Sequence, residues 1–181
     1  QKINHSSAGM RWLWETCSRR GRQHQAMAQL ACLAIGCHHS GRCDYIAPDG
    51  SQPWLERMES DQARALYDGS VQAFFSQCCE EQAMESLVDE AAQEVAALKM
   101  GIKNSIPFDY RLKSQNEAYW VTFRFWMGLV QRFLFSALVD ADWTDTACFM
   151  GGIPLPREDS PEQRQAVWDR LSSRTESYLR G

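Results

Sequence analysis

The sequence has few of the residues that interrupt helices, with only six prolines and eleven glycines among 181 residues. It has no apolar run near the ~18 residues of a membrane-spanning helix, and nothing in it resembles a secretory signal. It also lacks the positive charge of a simple nucleic-acid-binding module, because the formal net charge is −4. The short basic run at Arg19, Arg20 and Arg22 predicts a solvated helix end.

The composition that remains is that of an ordinary globular protein, with 44% hydrophobic and 23% charged residues. A chain of this length is large enough to bury one substantial core, and its many aromatic residues make intrinsic disorder an unfavourable interpretation. We therefore expect a single all-α domain that does not enter a membrane.

The seven cysteines are an odd number and include no Cys-x-x-Cys pair. Cys37 and Cys43 flank two adjacent histidines, but their spacing matches no structural zinc pattern, which favours packing in the core. Cys78 and Cys79 are adjacent in the chain and poorly placed to bridge each other. Free thiols are typical of a reducing compartment, so we expect a cytoplasmic protein.

Apolar residues recur at helical spacing along most of the chain. The stretch from Phe133 to Val139 is apolar nearly all round, which predicts that its helix runs through the centre of the domain. A connection is predicted over residues 101–109. We expect about seven helices, at 6–18, at 23–38, within 54–100 with short breaks near Asp68–Gly69, at 114–142 and after Ser160–Pro161.

Three aspartates, Asp140, Asp142 and Asp145, stand at the predicted end of the long helix. They repel one another, oppose the helix dipole, and would cost several kcal/mol each if buried without compensation among the nearby aromatic residues. The compensating charge could be an arginine of the same helix, Arg124 or Arg132, or a divalent metal. Solvated surface aspartates are the alternative, more plausible for Asp140 or Asp145 than for all three.

Two of the four histidines, His38 and His39, are adjacent at the predicted end of an apolar helix. A protonated histidine favours a helix C-terminus, which explains one of them better than both. Adjacent helical residues point about 100° apart, so both reach one metal only if the backbone bends, as Ser40-Gly41 permits, or if two metals bind. His5 precedes the first helix, and His24 lies in a polar helix start with no assigned role.

Imidazole and carboxylate together suit Mn, Fe, Co, Ni or Zn better than calcium, and one or two such ions would support metal-assisted hydrolysis. Three segments, Asn4–Gly9, Ala34–Gly41 and Phe135–Thr146, jointly resemble the HD nuclease domain of the type I CRISPR-associated helicase-nuclease. The resemblance implies an all-α fold of the HD-phosphohydrolase type. It also implies degradation of single-stranded DNA, delivered by a helicase domain or subunit after recruitment to an RNA-guided surveillance complex.

The family coordinates metal through a histidine of the His-Ser-x-Ala-Gly type, a His-His pair and the aspartate of an Ala-Asp-Trp-type motif. Carried over, these positions imply metal ligands at His5, His38, His39 and Asp142, the last three with catalytic roles. Thr146 matches a position where the family often has a small hydroxyl residue near the site, which implies a contact with the substrate phosphate.

The His-Asp motif that names the family is absent, because no histidine here precedes an aspartate. In the family that motif lies N-terminal to the position of His5, so we expect this chain to lack the first portion of the domain. A Walker A motif is absent as well, so no helicase domain is expected. The alternatives are a non-catalytic helical interaction module of the same fold and an HD-type phosphohydrolase acting on nucleotides.

Overall fold

A computed structural model describes residues 5–41, 43–44, 46–156 and 159–180, apart from the side chains of His5 and Gln62. These residues form seven α-helices and no strand, which confirms the all-α prediction. None of the helices in these ranges is both long and apolar enough to span a membrane. The helices are α1 (His5–Ser18), α2 (Arg22–Cys37), α3 (Pro53–Glu59), α4 (Asp61–Gln77), α5 (Glu81–Ser105), α6 (Lys113–Gly151) and α7 (Pro161–Arg180).

The helix ends follow from local chemistry. Pro53 opens α3, where its missing N–H has no intrahelical partner to lose. The Ser60 hydroxyl accepts a hydrogen bond from the Ala63 N–H at 3.3 Å and so caps the start of α4. At the far end of α5, Ile106 is extended and precedes Pro107, a position where the helical conformation is disfavoured.

At three positions where the sequence predicts a break or an end of a helix, the structure is helical. Asp68–Gly69 lies inside α4, and Gly101 lies inside α5, which continues to Ser105. A single helical glycine costs only about 1 kcal/mol relative to alanine, which the surrounding helix formers offset. The acidic cluster does not end α6 either, because the helix continues past Asp142 to Gly151.

The core forms where α1 packs against α2, with α3, α4 and α5 closing around this pair. Its buried side chains come from four helices, so the burial of each depends on segments distant in sequence. They are Met10, Leu13 and Cys17 of α1, Met27, Ala28, Cys32, Leu33 and Cys37 of α2, Trp54 and Met58 of α3, and Val88 and Ala92 of α5.

The central position predicted for the Phe133–Val139 stretch is wrong. Phe133 is 62% exposed and Leu134 41% exposed, while Phe135 packs against the core. A helix that is apolar all round is buried only where other elements surround it, and the residue pattern alone does not supply those elements.

The chain divides into two compact units, Gln1–Ala141 and Asp142–Gly181, and the boundary falls inside the continuous helix α6. The first unit contains the core described above. The second contains the end of α6 and the whole of α7. Every residue of α7 is exposed. The HD-type arrangement of the helices and the single domain stay predictions.

Candidate metal centre

The helix α2 ends directly before the histidine pair, where His38 still has right-handed helical dihedrals, and the left-handed residue Gly41 follows the pair. Cys37 is the last helical residue, and His38 follows as the C-cap with φ −59° and ψ −26°. The Ser40 N–H donates to the Cys37 carbonyl at 3.0 Å, which tightens the chain into a turn. Gly41 then adopts a φ of +78°, a conformation that side chains with a Cβ rarely reach. The change of direction that Ser40-Gly41 permits is therefore present, and it follows the histidine pair.

The turn brings the two imidazole rings together. Their centroids lie 3.9 Å apart with the ring planes inclined by 42°. His38 keeps right-handed helical dihedrals, so the pairing arises within the turn over residues 38–40 that follows α2. His38 is partly buried and His39 is exposed, which leaves the solvent side of the pair to His39.

A hydrogen bond to the backbone orients His38. Its Nδ1 lies 2.7 Å from the Ile35 carbonyl oxygen. A carbonyl oxygen only accepts, so Nδ1 must carry the proton, and in the neutral ring Nε2 becomes the atom able to bind a metal. The same bond satisfies one of the carbonyls that lack an intrahelical partner at the end of α2. Such a backbone contact is typical of metal-binding histidines, whose second nitrogen is fixed in this way.

The structure brings Asp142 to the histidine pair. One ligand atom from each of His38, His39 and Asp142 lies within 4.8 Å of the other two. Asp142 follows Ala141 without interruption in α6, so the continuous helix sets its position at the boundary of the first unit. Asp142 is partly buried, whereas Asp140 and Asp145 are exposed, as expected for solvated aspartates.

The spacing of the three donors suits a single cation. Ligand atoms about 2.1 Å from an ion lie at most about 4.2 Å from one another. Separations of up to 4.8 Å therefore require only small rotations of the side chains. Two imidazoles and one carboxylate are donors that first-row divalent metals accept. The residues present fit the predicted metal.

Arg57 of α3 holds the turn in place. Its guanidinium donates to the Gly36 carbonyl and to the Ser40 hydroxyl, both at 2.6 Å. These bonds bracket the histidine pair on both sides and tie it to a separate helix. The role of Arg57 could not be predicted from the sequence, because a single arginine on a short helix gives no signal of the turn that it contacts.

The two other predicted site residues are His5 and Thr146, and of these the structure describes only the side chain of Thr146. His5 begins α1, and its side chain lies outside the described part of the chain. Thr146 is exposed on α6, one helical turn beyond Asp142. The roles assigned to both stay predictions.

Within the basic run after α1, Arg19 and Arg22 are exposed, as a solvated helix end predicts, whereas Arg20 forms specific ion pairs. Arg20 donates to Asp89 at 2.6 Å and to Glu85 at 3.0 Å, both on α5. His24 Nε2 also lies 2.8 Å from Asp89. The hydrogen bond from His24, with the nearby Arg20 charge, holds the pKa of the Asp89 carboxyl below its ordinary value. His24 therefore joins α2 to α5, away from the candidate metal ligands.

A cavity of about 710 Å³ lies between the end of α5 and the start of α6. Four aromatic side chains and Lys103 contribute to its lining, whereas His38, His39 and Asp142 do not. Its volume is that of a small-molecule site, but its described lining residues include no histidine and no cluster of carboxylates of the kind that hydrolytic chemistry requires. The aromatic residues are Phe108, Tyr110, Tyr119 and Trp120.

No family model matches the sequence, and neither the curated proteins nor the solved structures contain a match. The case for a function therefore depends on the sequence motifs and on the geometry around His38, His39 and Asp142.

Proposed function

We propose that this chain is a metal-dependent phosphodiesterase that cleaves single-stranded DNA, as the nuclease part of type I CRISPR interference. The observation that supports the proposal is the proximity of His38, His39 and Asp142, whose ligand atoms lie within 4.8 Å of one another. Asp142 is more than one hundred positions from the histidines in the sequence. The sequence motifs selected these three residues as ligands independently of their positions in space.

The donor set determines the class of cation. Two imidazole nitrogens and one carboxylate oxygen favour Mn, Fe, Co, Ni or Zn over the hard cations that prefer oxygen ligands alone. A divalent cation held there would supply Lewis-acid chemistry, polarising a phosphoryl oxygen and allowing water to act as a nucleophile near neutral pH.

The protein's own residues orient the ligands and leave access for a polymer. The bond from His38 Nδ1 to the Ile35 carbonyl leaves Nε2 as the nitrogen able to bind a metal. The exposure of His39 keeps one side open to solvent, as a chain-like substrate requires. The Thr146 hydroxyl is the proposed hydrogen-bond donor to a phosphate oxygen.

The proposed partners follow from the family resemblance. A helicase domain or subunit would deliver the single strand, and an RNA-guided surveillance complex would recruit the nuclease. Cleavage that contacts only the backbone needs no base-reading motif, and none is present in the sequence.

The test compares two aspartates of the same helix. Asp142→Asn removes a proposed ligand, while Asp140→Asn makes the same chemical change at an exposed position two residues earlier. We expect Asp142→Asn to lower the affinity for Mn²⁺ by at least about tenfold, as even the loss of a supporting contact does. It should also abolish Mn²⁺-dependent cleavage of a labelled single-stranded oligonucleotide, whereas Asp140→Asn should match the unsubstituted chain in both assays.

Two results would count against the proposal in different ways. Cleavage retained in Asp142→Asn would show that this carboxylate is not a ligand. Specific Mn²⁺ binding without cleavage, in a chain whose circular dichroism is helical, would refute the nuclease function and leave the metal centre in place. His24→Ala serves as a further control, because its partner Asp89 lies on α5 and its loss should leave cleavage unchanged.

A further inference from the structure

Two sulfur atoms meet beside the histidine turn. Cys37 Sγ and Cys43 Sγ lie 2.9 Å apart, in a thiol-to-thiol hydrogen bond. Cys37 is fully buried at the end of α2, and Cys43 is partly buried and packs against the same core. The packing role predicted for both cysteines is thus confirmed, but the sulfur contact goes beyond packing.

The separation is close to that of a covalent bond. A disulfide has sulfur atoms about 2.05 Å apart, so closing the pair requires a movement of about 0.9 Å. Gly41 lies between the end of α2 and Cys43. Its φ of +78° favours a change in chain direction there. Core packing therefore holds the two thiols in a preorganised arrangement, in which the second step of a disulfide exchange is intramolecular.

We propose that Cys37 and Cys43 form an oxidation site, at which an intramolecular disulfide closes a short ring that contains His38 and His39. The oxidant is a small-molecule disulfide. This assignment does not depend on the proposed nuclease function, because it concerns only the two thiols and the turn between them.

The reaction balances as two successive exchanges. The Cys43 sulfur, which is the more accessible, attacks one sulfur of the reagent and breaks its S–S bond, releasing one reagent thiol that takes up the proton lost by Cys43. The Cys37 sulfur then attacks the Cys43 sulfur of the mixed disulfide and releases the second reagent thiol with the other proton. Two protein thiols are oxidised by two electrons in total, and one reagent disulfide is reduced to two thiols.

The test follows each cysteine of the folded chain during exposure to hydroxyethyl disulfide, a small neutral reagent. At intervals samples are unfolded in denaturant and their free thiols alkylated at once, so that the buried Cys37 is also labelled, and the peptides are identified by mass spectrometry without reduction. Cys78 is an internal positive control, because it is exposed and should form a mixed disulfide with the reagent. Burial raises the pKa of Cys43 to about 11, so exchange there is slower than at Cys78 and is followed until no thiol changes further.

We expect a cross-linked peptide that joins Cys37 to Cys43, with both thiols lost together and both recovered after dithiothreitol is added. The Cys43→Ser variant should form no such peptide, while Cys78→Ser should form it at the same rate as the unsubstituted chain. The proposal is overturned if Cys37 and Cys43 both remain alkylatable at the end point, or if the reagent links either of them to a different cysteine.

Discussion

Gly36 is a sensitive probe of the packing that positions the histidine turn. It lies one residue before the end of α2, where α1 crosses closely enough that a Cβ would overlap Met10 Sδ and lie 3.1 Å from Met10 Cε. Met10 is fully buried and has little room to move away. The Gly36→Ala substitution therefore sets the helix preference of alanine against an overlap in the core.

The expected magnitude is the difference between these two effects. Overpacking a well-filled core costs about 1–3 kcal/mol. Alanine in place of glycine within a helix contributes about 1 kcal/mol of stabilisation. We therefore expect Gly36→Ala to lower the free energy of unfolding by up to about 2 kcal/mol, with about 1 kcal/mol as the central value.

The control is Gly69→Ala, in the exposed middle of α4, where an added Cβ meets no atom within 4 Å. It should stabilise the protein by up to about 1 kcal/mol, so the two alanine variants should differ by about 2 kcal/mol. Urea denaturation followed by circular dichroism measures this difference, with similar m-values in both variants showing that the unfolded states are comparable. If Gly36→Ala is as stable as Gly69→Ala, the close approach of α1 and α2 at Met10 does not exist.

Two further substitutions test the contacts around the turn and between the helices. Arg57→Met keeps the apolar stem but removes the hydrogen bonds to Gly36 and Ser40. It should lower the free energy of unfolding, measured by urea denaturation, by about 1–3 kcal/mol and should weaken Mn²⁺ binding. Unchanged Mn²⁺ binding would show that the turn is rigid without Arg57. Asp89→Asn tests the lowered pKa of the Asp89 carboxyl, whose stabilising effect is present above about pH 4 and lost as the pH falls through the lowered value. The difference in urea midpoint between Asp89→Asn and the unsubstituted chain should therefore shrink in acid, and a difference independent of pH would contradict the assigned hydrogen bonds.

The helical architecture could be predicted from the sequence because its signals are local. Apolar spacing located all the main helical segments, and Ser160-Pro161 marked the start of α7 correctly. The errors at Gly69, Gly101 and Asp142 share one physical cause. A glycine or a cluster of like charges lowers the stability of a helix, but the other residues of a long helix can stabilise it by more. Sequence patterns do not give the net stability of the whole helix.

The burial of α6 could not be predicted, because burial is a property of neighbours. Trp143 follows directly after Asp142 in the sequence and is 74% exposed. The apolar character of such residues is visible in the sequence, while the elements that would cover them depend on the tertiary arrangement.

The proximity of the candidate ligands could be predicted from the sequence, whereas the contacts that support them could not. His38, His39 and Asp142 were selected from short motifs read together, and their ligand atoms lie close to one another; that they bind a metal stays a prediction. The contacts of Arg57 and the Ile35 carbonyl were not predictable. Both involve backbone acceptors, which every residue has, so only coordinates reveal which of them are used.

The termination of α2 at Cys37 affects how sites of this kind can be recognised. Metal-binding helices are commonly detected by ligands spaced three or four residues apart, a periodicity that requires the helix to continue through them. His38 and His39 would fail such a search, since they are consecutive residues in the turn that follows the end of α2. A pair of this kind is recognised by its position directly after a helix end, not by helical spacing.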